Sequence, residues 1–200
     1  MPTLVVVSGP MGSGKTTLAH AIAAAVGCPA ICRDEIKEGM LHATGSGAAS
    51  FVPAPGDELT ARTLPVFFGV LELLLQAGVS TVAEAAFQDH VWRPQLAPLL
   101  SLAQLRIVHC TVDADLAFRR ALRRARDNPL RRAHADPVPK TSKIPKTPED
   151  PEDPRVEAEH RLRHLAYRRI SLDAPALEVD TTDGYRPGLD QIVSFVNRPA

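Results

Sequence analysis

The sequence predicts a doubly wound α/β fold, a parallel sheet of about five strands with helices on both faces. Two observations carry this reading. Apolar runs of strand length alternate five times with segments of helical spacing, and parallel strands need helical crossovers. The first run, Leu4–Ser8, is apolar almost throughout, as in a strand covered on both faces.

The elements follow in order. After Leu4–Ser8 and a glycine-rich turn, residues Thr17–Val26 read as an alanine-rich helix that stops at Gly27. Ala30–Arg33 is a short second strand, and Asp34 can cap a helix over Glu35–Leu41. Residues 43–56 are rich in Gly, Ser, Ala and Pro and read as a loop. Helical spacing returns over Asp57–Gln76 and ends near Gly78. The third strand, Val79–Ala83, closes on Glu84; a helix is expected over Trp92–Leu102 and the fourth strand over Arg106–Thr111. Asp113–Arg126 is a strongly basic helix. Six of the eighteen residues 137–154 are proline. Pro145, Pro148, Pro151 and Pro154 recur at the period of polyproline II, so an extended segment is expected there. Arg155–Arg169 is helical, Leu177–Val179 the last strand and Leu189–Val196 the last helix.

Composition narrows the class. Lys+Arg and Asp+Glu both number 23, so net charge draws the chain toward neither nucleic acid nor membrane. An apolar fraction of 44% is ordinary for a globular protein. Three cysteines, Cys28, Cys32 and Cys110, do not make a disulfide framework, and a reducing cytoplasm is the expected location. Cys28 and Cys32 are spaced like metal ligands, but no second Cys/His pair lies nearby in sequence to complete four.

The turn after the first strand is Gly9-Pro10-Met11-Gly12-Ser13-Gly14-Lys15-Thr16-Thr17. It meets the pattern G-x-x-x-x-G-K-[ST] and stands between a strand and a helix, as a phosphate-binding P-loop requires. Glycines permit backbone torsions that aim successive N–H groups at one anion, and the helix N-terminus adds free donors and its dipole. Lys15 would reach the β and γ phosphates, and the Thr16 hydroxyl would ligate Mg2+ travelling with ATP. The fold class is therefore expected to be a P-loop NTPase. Its ligands would bind beyond the carboxyl ends of the strands, where Arg33-Asp34, Glu84, Asp113 and Asp180–Asp183 gather.

Further residues bear on the reaction. Asp34, in Cys32-Arg33-Asp34-Glu35-Ile36-Lys37, stands at a strand end where a carboxylate either caps a helix or accepts a proton from an attacking hydroxyl. Glu84 ends the strand Thr81-Val82-Ala83 and is either a solvated terminus or a site carboxylate. Arg119, Arg120, Arg123, Arg124, Arg126, Arg131 and Arg132 fall within fourteen residues. At helical spacing they repel one another unless anions neutralise them, and phosphate is the obvious anion.

A P-loop followed by strand-[S/C]-R-D-x-x-[R/K] resembles the small P-loop kinases: polynucleotide 5′-hydroxyl kinases, chloramphenicol phosphotransferases, zeta-toxin-type sugar-nucleotide kinases and AAA-type ATP-binding proteins. The resemblance covers roughly residues 3–135 and 176–196. It implies that Asp34 is the general base, Arg33 and Lys37 contact substrate, and Glu84 lies near magnesium and substrate. Lys37 stands where polynucleotide kinases carry an arginine, and a point charge for a bidentate fork weakens the nucleic-acid reading. The resemblance further implies a lid beginning in the basic helix and spanning about residues 113–154, with the proline-rich run as an insertion. Arg120 and Arg124, with Arg119 and Arg126 next, would close on the transferring phosphoryl group. By the same resemblance Thr181, Thr182 and Gly184 would lie against adenine; read by themselves they equally make a turn into the last helix. His134 and Asp136 lie beside the insertion, where either could contact substrate or remain an ordinary surface group. Phe51 in the loop 43–56, and the stretch Phe87–Arg93 with Trp92, would shape the acceptor pocket.

The expected activity is transfer of the ATP γ-phosphoryl group to a hydroxyl of a small molecule or a nucleotide or nucleic-acid end, within one domain over residues 1–200. The alternative is a P-loop NTPase or switch acting on a partner protein. The guanine motif N/T-K-x-D is absent from the sequence, which excludes an ordinary GTPase.

Overall fold

The structure is a computed structural model that describes residues 1–45, 51–54, 56–134 and 154–198. Five strands, β1 (Thr3–Ser8), β2 (Ala30–Cys32), β3 (Thr81–Glu84), β4 (Gln104–Thr111) and β5 (Ala176–Asp180), form one sheet in the order β2-β3-β1-β4-β5. Every pairing is parallel. β1 lies at the centre, pairing Leu4 with Thr81 on one side and with Leu105 on the other.

Seven α-helices accompany the sheet among the described residues: α1 (Lys15–Val26), α2 (Arg33–Ala43), α3 (Glu58–Gln76), α4 (Asp89–Leu96), α5 (Ala114–Asp127), α6 (Pro154–Ala166) and α7 (Leu189–Val196). The pleat of β1 sends alternate residues to two cores. Leu4 and Val6 pack with Phe67, Leu71 and Leu75 of α3 and with Trp92 and Leu96 of α4. Val5 and Val7 pack with Leu18 and Ile22 of α1 and Ile192 and Val196 of α7. The doubly wound architecture is the one expected.

Boundaries moved where side-chain chemistry intervenes. β2 ends at Cys32 and α2 opens at Arg33, so Asp34 sits within the first turn and caps nothing. Its carboxylate is engaged instead by Arg33 and Arg131. The helix expected over Trp92–Leu102 is α4 followed by a tight 3-10 turn over Ala97–Ser101. Pro98 lies at that junction and lacks the N–H that an α-helical bond to Pro94 would need. Trp92 belongs to the core, edge-on to Phe67 and Phe87, and Phe51 packs beside Leu41 and Leu59. The proline-rich residues 137–153, and Asp136 before them, lie outside the described residues; α6 begins at Pro154.

One buried ion pair fixes α2 against α3. Lys37 is 2% exposed and donates to Asp57 Oδ2 at 2.9 Å and to Thr60 Oγ1 at 2.8 Å. Asp57 is also the N-cap of α3, accepting from the Thr60 N–H at 2.7 Å. Removing Asp57 would leave a buried ammonium uncompensated and a helix end uncapped. Asp57→Ala is therefore expected to lower stability by about 3–5 kcal/mol, read from urea denaturation. A loss below about 1 kcal/mol, the size of a cap alone, would show that Lys37 does not depend on this carboxylate.

Candidate active site

Gly12 and Gly14 take positive φ, 78° and 72°, a region costly to side chains with a Cβ. At Gly12 space is lacking as well: a Cβ there would come within 2.2 Å of the Ala117 carbonyl oxygen of α5. The loop is thus clamped beneath the first turn of α5. Its other flank is tied to the end of β5, where the Thr181 hydroxyl donates to the Ser13 carbonyl at 2.7 Å. The Ser13 N–H turns back to Pro10 O at 3.3 Å. Lys15, Thr16 and Thr17 open α1, and the first residues of a helix have no intrahelical acceptor for their N–H groups. The result is a set of amide donors at a helix N-terminus, rigidly held, with an ammonium beside them.

A cavity of about 410 Å³ lies over these amides, lined by Gly14, Lys15, Thr16, Thr17, Arg120 and Arg124, and by Thr181, Gly184 and Tyr185 from the loop after β5. Arg120 and Arg124 form the inward stripe of α5, whereas Arg119 and Arg123 are exposed. Arg120 also braces the wall of the cavity, donating to Thr181 O at 2.9 Å and Thr182 O at 3.3 Å. Thr182 accepts from the Asp113 N–H through its hydroxyl at 3.3 Å and does not line the cavity; Thr181 and Gly184 do. Arg126 lies further along α5, half-buried and away from the lining.

Beside the loop, β3 delivers Glu84, 1% exposed. Its carboxylate accepts from Thr16 Oγ1 at 3.1 Å and lies 3.7 Å from Lys15 Nζ. Burial pushes the Glu84 carboxyl up, and Lys15 only partly offsets it. Asp34 moves the opposite way. Burial alone would raise it too, but His134, Arg131, Lys15 and Arg33 together outweigh burial and hold it well below the usual carboxylate range. Arg33 donates to Asp34 Oδ1 at 3.0 Å and Arg131 to Oδ2 at 3.1 Å. Lys37 points to Asp57 instead and shares no contact with this group.

The structure adds residues that the sequence reading passed over. Glu38, one turn beyond Asp34, binds Arg131 at 3.1 Å, Asn128 at 3.0 Å and His134 Nε2 at 3.2 Å. α2 is thereby latched to the chain that follows α5. The i, i+4 spacing of Asp34 and Glu38 was a visible signal of one acidic face.

A second cavity, about 300 Å³, opens beside the first half of the loop. It is lined by Pro10 and Met11, by Ala86 and Gln88 after β3, and by His160, Arg163, His164 and Tyr167 at the end of α6. The stripe 160, 163, 164, 167 has one-face helical spacing and could have been found in the sequence. Tyr167 shares a short hydrogen bond with Ser8 Oγ at the end of β1. Burial pushes its phenol up to about 12, so it is a neutral donor.

This fold and loop define a P-loop nucleotide-binding protein. A family model for an AAA domain, AAA_33, matches residues 4–140, and the chain belongs to that family. Among solved structures, one described as a proposed kinase from Chloroflexus aurantiacus covers 98% of this chain and 96% of its own, with 23% identity and a TM-score of 0.76. A sugar kinase from Janibacter sp. covers 97% and 91%, with 18% identity and a TM-score of 0.54. A chain of the Pnkp1/Rnl/Hen1 RNA repair complex is matched over 82% of this chain and 44% of its own, with 13% identity and a TM-score of 0.55. These likenesses establish a shared fold. No curated protein matches the chain. No helix among the described residues is long and apolar enough to cross a membrane.

The latch has a pH signature. Glu38, like Asp34, is lowered: its burial is outweighed by His134 and Arg131. Depressed carboxyls stabilise the fold fully above their unfolded values near pH 4, and that stability is lost as pH falls through and below them. Asp34→Asn should therefore be less stable than the parent at pH 7, and its urea midpoint should fall less between about pH 5 and pH 3. Parallel pH curves for the two proteins would show that Asp34 is not held by these cations.

Proposed function

We propose that the protein is an ATP-dependent kinase that moves the γ-phosphoryl group to a hydroxyl of a small, negatively charged acceptor. The observation that carries this reading is the pair of cavities that divide one loop between them. Gly14–Thr17 and the arginines of α5 line the first, Pro10 and Met11 the second. A simple NTPase has no need of the second.

The cavity over the amides takes the nucleotide, its phosphates on the loop and on Lys15, with Arg120 and Arg124 on the transferring group. Tyr185 and Gly184 line the part left for the base. Oxygen donors suit Mg2+, and the Thr16 hydroxyl with the Glu84 carboxylate bonded to it offers such a set. Magnesium bound there with ATP would neutralise phosphate charge. The second cavity takes the acceptor. Arg163, which also pairs with Glu159, and the rings of His160 and His164 give it N–H donors, which favour a carboxylate- or phosphate-bearing hydroxyl compound. Its volume suits a metabolite rather than a polymer end. Asp34 accepts the acceptor's proton while Arg33 and Arg131 orient it. The segment that follows α5, Pro129–Ala133 with His134, forms the base of a lid over the site. Three free cysteines, two of them buried, fit a reducing cytoplasm.

The reading is tested with labelled ATP, magnesium and a panel of hydroxyl acids, sugar phosphates, nucleosides and polynucleotide ends. A labelled product from a small anionic acceptor is expected. Phosphate release to water at a rate no acceptor changes would replace the kinase reading with a hydrolase. Variants separate the roles. Asp34→Asn should reduce transfer about 100-fold or more with ATP affinity nearly intact, whereas Lys15→Ala should weaken ATP binding itself. If both variants lose ATP together, Asp34 has a structural role. Arg163→Ala should raise the KM for acceptor by about 10-fold or more and leave the KM for ATP unchanged; equal effects on both would remove the acceptor from the second cavity.

A further inference from the structure

Away from both cavities, three elements converge on one point. His20 lies on α1, one turn past Thr16, Cys32 ends β2, and Glu35 is in the first turn of α2. Each offers one ligand atom, and the three atoms lie within 4.8 Å of one another. His20 Nε2 is 2.8 Å from Glu35 Oε1 and 3.7 Å from Cys32 Sγ. The same nitrogen thus faces both other atoms.

We infer that His20, Cys32 and Glu35 form a binding site for one divalent ion of the zinc class. A tetrahedral zinc with bonds of about 2.3 Å to sulfur and about 2.0–2.1 Å to nitrogen and oxygen holds S and N roughly 3.5 Å apart, and N and O roughly 3.4 Å apart. The sulfur–nitrogen separation already matches. The histidine–carboxylate separation needs to open by about half an ångström, and both side chains are half exposed, 51% and 49%, so they can move. Cys32, by contrast, is 2% exposed and fixed by the sheet. A rigid sulfur with two adjustable surface ligands leaves a fourth position open to water.

The donor set is selective. Thiolate and imidazole favour zinc, cobalt and similar ions over magnesium, which demands oxygen ligands. The site is therefore distinct in chemistry from the oxygen donors Thr16 and Glu84. On binding, the Cys32 thiol loses its proton to solvent, His20 turns its lone pair from Nε2 to the metal with its proton on Nδ1, and Glu35 exchanges an N–H partner for the ion. The bound ion would tie α1, β2 and α2 together beside Asp34. Cys28, although close in sequence, does not belong to the cluster.

The test is cobalt titration of the reduced 200-residue chain without nucleotide or magnesium. One Co2+ per chain should bind with a sulfur-to-cobalt charge-transfer band in the near ultraviolet, displaced by equimolar Zn2+ and unaffected by millimolar Mg2+. Cys32→Ser should abolish the band, and Cys28→Ser should retain it. His20→Ala, at an exposed helix position, and Glu35→Gln should weaken binding about 10-fold or more. Zinc should raise the melting temperature of the parent and not that of His20→Ala. Absence of a thiolate band in the parent, its survival in Cys32→Ser, or unchanged affinity in His20→Ala would overturn the site.

Discussion

The rest of the molecule is arranged around a backbone pressed against a backbone. At Gly12 the loop after β1 passes beneath the Ala117 carbonyl with no room for a Cβ, while Gly12 and Gly14 hold left-handed torsions. That contact fixes the amides of the α1 N-terminus in space. It also holds α5 against the loop, with Arg120 and Arg124 at the cavity. The Thr181 bond to Ser13 closes the other side. A loop clamped at both flanks carries little reorganisation cost when an anion arrives, which is what makes preformed dipoles effective.

Around this loop two carboxyls are driven apart by their surroundings. Glu84 sits at the floor, buried and raised, with Lys15 and Thr16 for company. Asp34 stands among His134, Arg131, Lys15 and Arg33 and is lowered. Both begin as ordinary acids beside neighbouring strand ends: Glu84 closes β3, and Asp34 follows Cys32 of β2, the sheet partner of Glu84. Divergent environments for adjacent carboxyls are a sign of divided labour. Arg131 and His134 come from the segment that follows α5, so the charge state of Asp34 is coupled to the position of that segment. On the proposed reading, any motion of the lid base changes the environment of the base.

The sequence disclosed the sheet and the loop because both are local or periodic. A continuous apolar run, a fixed glycine spacing and a helix stop at Gly27 need no distant partner to be recognised. Helical periodicity split the arginines of α5 into two stripes, Arg119 with Arg123 and Arg120 with Arg124, but which stripe faces inward is decided by the burial of Ala117, Phe118 and Leu122. What escaped was set by contacts across the chain. Lys37 meets Asp57, Arg131 meets Glu38, and Tyr167 meets Ser8 over 159 residues. No short-range pattern gives such pairings. Trp92 illustrates the reverse error: an aromatic beside a site strand suggested a pocket wall, yet contacts with Phe67, Phe68 and Phe87 made it core. The stripe on α6 was an omission of another kind, readable from spacing but obscured by the proline-rich run before it.

A carboxylate as acidic as Asp34 looks a poor choice for a proton acceptor, because general bases work best with pKa values near the working pH. Phosphoryl transfer relaxes that demand. Its transition state is loose, with bond breaking to the leaving oxygen well advanced, so the attacking hydroxyl keeps much of its proton until late. What the reaction then needs from the carboxylate is direction rather than strength: an ionised oxygen, fixed in place, that aligns the hydroxyl and receives its proton after the barrier. Arg33 and Arg131 on its two oxygens supply that fixation, and depressed basicity follows from the same contacts. The low pKa of Asp34 is therefore compatible with a kinase, and ill suited to a reaction that must remove a proton before bond formation begins.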